Sequence, residues 1–289
     1  MSFLIGTNVT VANKGLLAAI EETVKIHGNC FIIHIRSNRL AARVKALKDF
    51  HVDEATLVMR KHGIEKAHTF VHASHFINLA GRIEVRKRGI NDLKNEIART
   101  DELGIPYLIL HPGAHIGQGN EMAMYKIVDS LNKILSYNQT CMVLLEMMAG
   151  NGTKVGGTIE EMGEIIKRVE VKSRLGVAIH TAHLWAMGYD IVNNFDEFLE
   201  AFDDEVGLEK LKLVHISGSQ FPRGSRKDKH ANIGAEDDTI GKEALRTIFQ
   251  HPKLVNIPKI LETPYGQHEK EIDYLKGDDD VVLSRFSFY

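Results

Sequence analysis

Six apolar segments of this sequence each end on an imidazole or a carboxylate: Val71-His72, Leu110-His111, Leu145-Glu146, Ile179-His180, Val214-His215 and Leu261-Glu262. His183 follows His180 by one helical turn, and Asp228 and His230 alternate with lysines in Lys227-Asp228-Lys229-His230. Neutral imidazole and carboxylate are the ligands that Zn²⁺ and related divalent ions take in hydrolytic sites, and one carboxylate can bridge two ions. A lone His at a strand end is more often a hydrogen-bonded structural residue. Six such ends in succession form one pattern rather than six coincidences. Nine donors exceed a single tetrahedral site, so two or three ions are expected. Ions about 3.5–4 Å apart lower the pKa of a bridging water, hold the non-bridging oxygens of a phosphodiester and stabilise attacking and leaving oxygens during in-line displacement. No protein nucleophile is then needed, and neither a G-x-S-x-G elbow nor a P-loop occurs in the chain.

These donors need a scaffold that brings strand ends together. Eight short β-rich runs recur: Phe3–Gly6, Cys30–Ile35, Thr69–His72, Tyr107–His111, Met142–Glu146, Gly176–His180, Leu211–Ile216 and Ile257–Glu262. They are nearly continuous in apolar residues, as strands covered on both faces are. Helical spacing fills the gaps over Lys14–His27, Asp53–His62, Ile83–Leu103, Glu121–Leu135, Ile159–Arg168, Asn194–Val206 and Lys242–Gln250. Thr158-Ile159-Glu160-Glu161 has the form of a capping box, and Asp53 and Asn194 are candidate N-caps. No Gly-rich turn follows the first strand, which disfavours a doubly wound sheet. Eight βα repeats close instead into a parallel (β/α)₈ TIM barrel with its site at the C-terminal rim, and 289 residues suit one such domain spanning 1–289. His34, inside the second run, and His68, at the start of the third, read as core or bottom-rim residues. His27, His51, His62 and His251 carry no signal, and Met142, Met147 and Met148 read as core filler.

The composition, 44% hydrophobic and 26% charged, is that of a soluble globular protein with a large core. Cys30 and Cys141 lie in apolar runs without CxxC spacing, which implies packed thiols in a reducing compartment. No segment has the roughly 18 apolar residues of a membrane span and the N-terminus lacks signal-peptide features, so a cytosolic or, in a compartmented host, nuclear monomer is expected. A net charge of −2 excludes a general polyanion binder. Contact with nucleic acid must be local, helped by metal charge that a residue count does not include.

Taken together, four stretches resemble the endonuclease IV family of apurinic/apyrimidinic endonucleases, and the resemblance runs over essentially the whole chain. They are His72-Ala73-Ser74-His75-Phe76-Ile77-Asn78-Leu79, His111-Pro112-Gly113-Ala114-His115, His183 with Gly188-Tyr189-Asp190, and Gly224-Ser225-Arg226-Lys227-Asp228-Lys229-His230. Glu146 with Ala149-Gly150-Asn151-Gly152, and Glu262 in Ile260-Leu261-Glu262-Thr263, fit the same pattern. The resemblance implies three zinc ions. One would be held by His72, His111 and Glu146, a second by Glu146, His215 and Glu262, and a third by His183, Asp228 and His230. It also implies double-stranded DNA with an abasic site as substrate, cut 5′ of the lesion to leave a 3′-hydroxyl in base excision repair, with 3′-repair diesterase activity alongside.

Three departures stand out. His180 occupies the place of an aspartate, and as a retained ligand it would make the cluster more positive by one unit and soften the second site towards nitrogen-preferring metals. Ile216-Ser217-Gly218-Ser219 replaces an Asn-Asp pair after His215, which removes acceptors that could orient ligands. Met147-Met148 replaces a polar pair after Glu146. For DNA, Arg39 in Arg36-Ser37-Asn38-Arg39, with Arg43 nearby, is a candidate to enter the base stack, which is easier where a base is missing. His75, Arg223, Arg226 and Lys229 are candidates for phosphate contact, whereas Arg82, Arg86, Lys87 and Arg88 read as a solvated helix face. Two other readings stay open. A sugar isomerase or epimerase on the same barrel would explain the strand-end Glu and His but not Asp228/His230, and a non-catalytic damage binder would explain the departures.

Overall fold

The computed structural model describes residues 3–11, 14–36 and 45–277. Its strands are β1 (Ile5–Asn8), β2 (Cys30–Ile33), β3 (Thr69–His72), β4 (Tyr107–Leu110), β5 (Met142–Glu146), β6 (Leu175–His180), β7 (Leu211–Ile216), β8 (Gly218–Ser219), β9 (His230–Ala231) and β10 (Lys259–Leu261). The helices are α1 (Leu16–Lys25), α2 (Val52–Lys61), α3 (Ile83–Leu103), α4 (Asn120–Ile134), α5 (Ile159–Arg168), α6 (Thr181–Met187), α7 (Phe195–Glu205), α8 (Lys242–Phe249) and α9 (His268–Lys276). Strands β1 to β7 and β10 form a closed barrel in the order β1-β10-β7-β6-β5-β4-β3-β2, and every pairing in it is parallel. This is the (β/α)₈ architecture that the eight repeats imply. The two-residue strands β8 and β9 pair antiparallel and frame a loop above the rim. Among the described residues no helix is long and apolar enough to cross a membrane.

Two cores hold the layers. Inside the barrel, Cys30, Ile32, Phe70, Ile109, Leu144, Ala178, Leu213 and Ile260 form one buried cluster, with the Phe70 and Tyr107 rings stacked at 5.1 Å. Between barrel and helices lies the larger one, with Phe31, Val71, Leu108, Val143 and Val177 among its strand residues. Successive side chains of a strand alternate between these two sides. Two residues beyond each interior core residue, the next inward position lies at the C-terminal rim. From Phe70, Ile109, Leu144, Ala178, Leu213 and Ile260 that step reaches His72, His111, Glu146, His180, His215 and Glu262. The barrel thus converts strand-end chemistry into one polar layer above an apolar plug.

Element boundaries differ from the sequence reading where polarity misleads. β1 continues through Thr7 and Asn8 rather than ending at Gly6, because the rim layer of this barrel is polar. β10 starts at Lys259, since Pro258 has no N–H for the ladder. It is extended by the Glu262 N–H, which donates to the Ile216 carbonyl at 3.0 Å. α6, which opens directly after β6, carries no long apolar pattern and was not expected. At α5 the Thr158 hydroxyl accepts from the Glu161 N–H at 3.2 Å, but the Glu161 carboxylate turns to the N–H groups of Gly156 and Gly157, so only half a capping box forms. Asp53 lies in the first turn of α2 rather than capping it, and Asn194 sits at the cap of α7 without a capping bond. Arg86 belongs to no solvated face: it is half-buried, pairs with Asp129 and donates to the Ser130 hydroxyl. Both cysteines are buried, and burial raises both thiol pKa values.

Candidate metal centre

Glu146, at the end of β5 and 1% exposed, is the hub. Its Oε2 lies 3.1 Å from His111 Nε2 and 3.5 Å from His72 Nε2, and its Oε1 lies 3.2 Å from His183 Nδ1 and 3.5 Å from His180 Nδ1. Glu262 faces His215 Nδ1 at 3.1 Å and His180 Nδ1 at 3.8 Å. Asp228, in the loop between β8 and β9, places Oδ1 at 3.2 Å from both His183 Nε2 and His230 Nε2. All nine donors expected from the sequence therefore meet in one cluster. Ligand atoms of His72, His111 and Glu146, of Glu146, His180 and Glu262, and of His180, His183 and His230 lie within 4.8 Å of one another in each group.

The rings are aimed by their second nitrogens, as in many metal sites. His72 Nδ1 lies 2.8 Å from the Ala73 carbonyl, His183 Nδ1 2.9 Å from that of Met147, and His230 Nδ1 2.8 Å from that of Glu262. His180 Nε2 lies 2.9 Å from the Ser217 hydroxyl. With Nδ1 donating to a carbonyl, the neutral form of each of these three rings carries its lone pair on Nε2. Buried polar atoms ordinarily have partners. Among the described residues Glu146 Oε2, His180 Nδ1, both nitrogens of His215 and His230 Nε2 have no hydrogen-bond partner. Orphaned nitrogens and an orphaned carboxylate oxygen, aimed at one another, fit divalent cations by position and by donor chemistry.

Electrostatics follow from this crowding. Burial would raise the Glu146 pKa, but His111 and His215 hold it well below the ordinary carboxylate value. Glu262, likewise opposed by burial, is brought down to about 2 by His215 and His180. Burial, with His183 and His230 beside it, lowers His180 to about 3, so this ring is neutral. Burial also disfavours charge on His183, yet its bonds to Asp228 and Glu146 outweigh this and raise it to about 10.

Several residues were misread or missed. His34, taken for a core or bottom-rim residue, lies two positions after the interior Ile32 and so reaches the rim. Its Nε2 lies 3.1 Å from Asn8 Nδ2, and its ring is 5.2 Å from that of His72. Period two from Ile32 was the signal. His75 is exposed, with its ring 4.7 Å from His72 and 4.8 Å from His111. Partial desolvation, with the His72 and His111 rings beside it, lowers its pKa to about 3, so this ring is neutral. Lys154, unpredicted, places Nζ 3.2 Å from Asp228 Oδ2. Ser217, expected to leave ligands without orienting partners, instead contacts His180. At Gly218 a Cβ would sit 2.5 Å from the Asp238 carboxylate, which accepts from Ser219, Gly234 and Ile240 N–H groups. Met147 and Met148 are buried, the first lending its carbonyl to His183.

Of the candidate DNA contacts, Arg226 and Lys229 are exposed on the loop between β8 and β9. Arg223 is exposed too, but it pairs with Asp190 and lies 5.8 Å from the Trp185 ring. Arg39 and Arg43 lie outside the described residues. His115 serves its own turn, its Nδ1 accepting from the Gly117 and Gly119 N–H groups.

A closed parallel barrel carrying its polar cluster at the C-terminal rim is the plan of the xylose isomerase-like TIM barrels, and the model of that family matches residues 23–277. Within that class, the chain belongs to the endonuclease IV family. It is 42% identical over 297 residues to "Probable endonuclease 4" of Geobacillus kaustophilus, covering 98% of each chain. To the protein of the same name from Geobacillus sp. WCH70 it is 41% identical, covering 92% of this chain and 89% of that one. The crystal structure of endonuclease IV from Thermus thermophilus superposes with a TM-score of 0.79 at 29% identity, over 97% of this chain and 99% of that one. A D-tagatose 3-epimerase-like protein shares the fold at a TM-score of 0.68 and 19% identity, over 98% of this chain and all of that one (100%).

Proposed function

We propose that this chain is a zinc-dependent DNA-repair endonuclease that hydrolyses the phosphodiester 5′ to an abasic site and leaves a 3′-hydroxyl. The observation that carries the proposal is the convergence of six imidazoles on the three carboxylates Glu146, Glu262 and Asp228, in a member of the endonuclease IV family. His72, His111 and Glu146 would hold one cation, Glu146, His180, His215 and Glu262 a second, and His183, Asp228 and His230 a third. When bound, such cations polarise the phosphate and acidify water.

The chain's own residues do the rest. Glu146 turns one oxygen to His72 and His111 and the other to His180, so it would be shared by the first two cations. The carbonyls of Ala73, Met147 and Glu262 keep three rings in their ligating orientation, so little reorganisation is needed when substrate arrives. His75 stands at the mouth as a neutral hydrogen-bond partner for the phosphodiester. Arg226 and Lys229 offer cationic contacts to flanking phosphates, which fix register without reading sequence. The same centre would act on a phosphodiester at a blocked 3′ end, which is the basis for a 3′-repair activity.

The test is a duplex carrying one abasic-site analogue, incubated with purified protein with and without zinc and chelator, with metal content measured in parallel. Nicking 5′ of the lesion that chelator abolishes is expected. A protein that holds about three zinc ions and does not nick overturns the catalytic reading and leaves a damage-binding protein. Turnover of a ketose or aldose with none of DNA would make it a sugar-converting enzyme.

A further inference from the structure

β6 and β7 run side by side with His180 opposite His215 in the ladder. Beyond them the chain is clamped across the two strands. The Ser217 N–H donates to Thr181 Oγ1 at 2.9 Å, and that hydroxyl donates to the Ser217 carbonyl at 2.7 Å. His180 and Ser217 are each 0% exposed, and Thr181 1%. With its main chain fixed in this way, Ser217 carries its Oγ to 2.9 Å from His180 Nε2. The opposite nitrogen, Nδ1, then faces Glu146 at 3.5 Å and Glu262 at 3.8 Å, without a hydrogen-bond partner among the described residues.

We propose that Ser217 is a positioning residue that makes His180 a ligand of the second cation through Nδ1. A neutral imidazole carries one proton. If Nδ1 is to present a lone pair to a cation, that proton sits on Nε2, and a fully buried N–H needs an acceptor. Ser217 Oγ is that acceptor. It fixes both tautomer and ring angle, a task that main-chain carbonyls perform for His72, His183 and His230. A carboxylate in place of His180 would have no such proton and no such need. Ser217 and His180 therefore work as one unit, and a site with two imidazoles and two carboxylates takes nitrogen-preferring cations such as zinc, cobalt or nickel over magnesium. This inference rests on the metal-centre reading but not on the choice of DNA as substrate.

The experiment uses the full chain loaded with zinc and titrated with a competing chelator, with bound metal counted by elemental analysis. Ser217→Ala is expected to weaken one ion by roughly 10–100-fold and leave the others at wild-type affinity. In a His180→Asp background, adding Ser217→Ala should change nothing further. Histidine ¹⁵N spectra of the zinc-loaded wild type should show His180 protonated on Nε2 and ligated through Nδ1. Ligation through Nε2, or an equal loss from Ser217→Ala with His and with Asp at position 180, overturns the inference, as does full retention of all ions by Ser217→Ala. A wild-type chain that binds no divalent cation would overturn the metal-centre reading as well, which separates the two failures. If Ser217→Ala does not fold, the wild-type spectra and the pairing of His180→Asp with the double variant still decide.

Discussion

His111 Nε2 stands 3.1 Å from Glu146 Oε2, and the other oxygen of that carboxylate stands 3.2 Å from His183 Nδ1. Glu146 thus divides the cluster, serving the β3–β4 side with one oxygen and the β6 side with the other. Glu146→Gln preserves the shape but replaces one oxygen with an amide NH₂ that cannot ligate. Bound metal should drop from about three ions towards one, held by His183, Asp228 and His230. Nicking should fall by more than the roughly 100-fold that loss of an orienting partner produces. Elemental analysis beside the nicking assay checks both, and full metal content in the variant would remove Glu146 from the bridging role.

Glu96 of α3 is 3% exposed and accepts from the Ser74 N–H at 3.1 Å, anchoring the loop that follows His72. Burial pushes its carboxyl up to about 7 from an ordinary 4.5, against the Ser74 N–H and Arg36. Between those values the folded chain keeps a proton that the unfolded chain has lost, so raising the pH disfavours the fold. The contribution is fully present below about pH 4.5, is lost as pH rises through 7 and is level above that. Its size is on the order of 3 kcal/mol. Glu96→Gln keeps an acceptor without the charge, so it should match wild type near pH 4.5 and melt several degrees higher at pH 8. Equal melting temperatures across that range would show that the carboxyl titrates normally.

The barrel and the six strand-end His and Glu that meet at its rim were legible because both follow from period two along strands that end at one rim. A continuous apolar run marks a strand buried on both sides, and the first polar residue at its end falls on the inner face. His34 escaped because the apparent run continued to Ile35, whereas β2 stops at Ile33 and leaves His34 on the rim layer. The orienting partners were illegible for a different reason. Ala73, Met147 and Glu262 act on histidines through main-chain carbonyls, which every residue type possesses, so no side-chain pattern announces them. Ser217 seemed a loss when compared with a longer polar residue. Its use depends on a short hydroxyl lying opposite an imidazole, and only the lateral pairing of β6 with β7 shows that. Lys154 meets Asp228 across 74 positions of sequence, and no local spacing encodes such a contact.

Asn78 ties two rim loops together. Its Oδ1 accepts from the N–H groups of Ala80 and Ala114, and its Nδ2 donates to the Ala114 carbonyl at 3.1 Å. Gly113 permits the approach, with φ at 144° and a position where a Cβ would stand 2.6 Å from Asn78 Oδ1. The loops that follow His72 and His111 are thus joined through one amide. Asn78→Ala should destabilise the chain by about 1–3 kcal/mol through unpaired main-chain groups, and loosen the first cation more than the third. Denaturant unfolding together with chelator competition measures the two effects. Unchanged affinity at the first position would confine Asn78 to a role in stability.

Arg226 and Lys229 flank Asp228 on the loop between β8 and β9, both exposed, and Arg226 adopts a left-handed φ of 52° while its N–H donates to the Ala186 carbonyl at 2.9 Å. That backbone bond fixes where its side chain leaves the loop. With a net charge of −2 the chain has no general attraction for DNA, so under the proposed function local cations would supply the phosphate contacts. Neutralising either residue to Gln should weaken binding to an abasic duplex by a similar factor whatever the flanking sequence. It should also reduce the slope of log affinity against log salt by about 1. Metal content and the cleavage rate at saturating protein should stay at wild-type values, because neither side chain belongs to the cluster. Binding isotherms at several salt concentrations decide the matter: an unchanged slope in both variants would return these two residues to the solvated surface and shift the phosphate contacts to other parts of the rim.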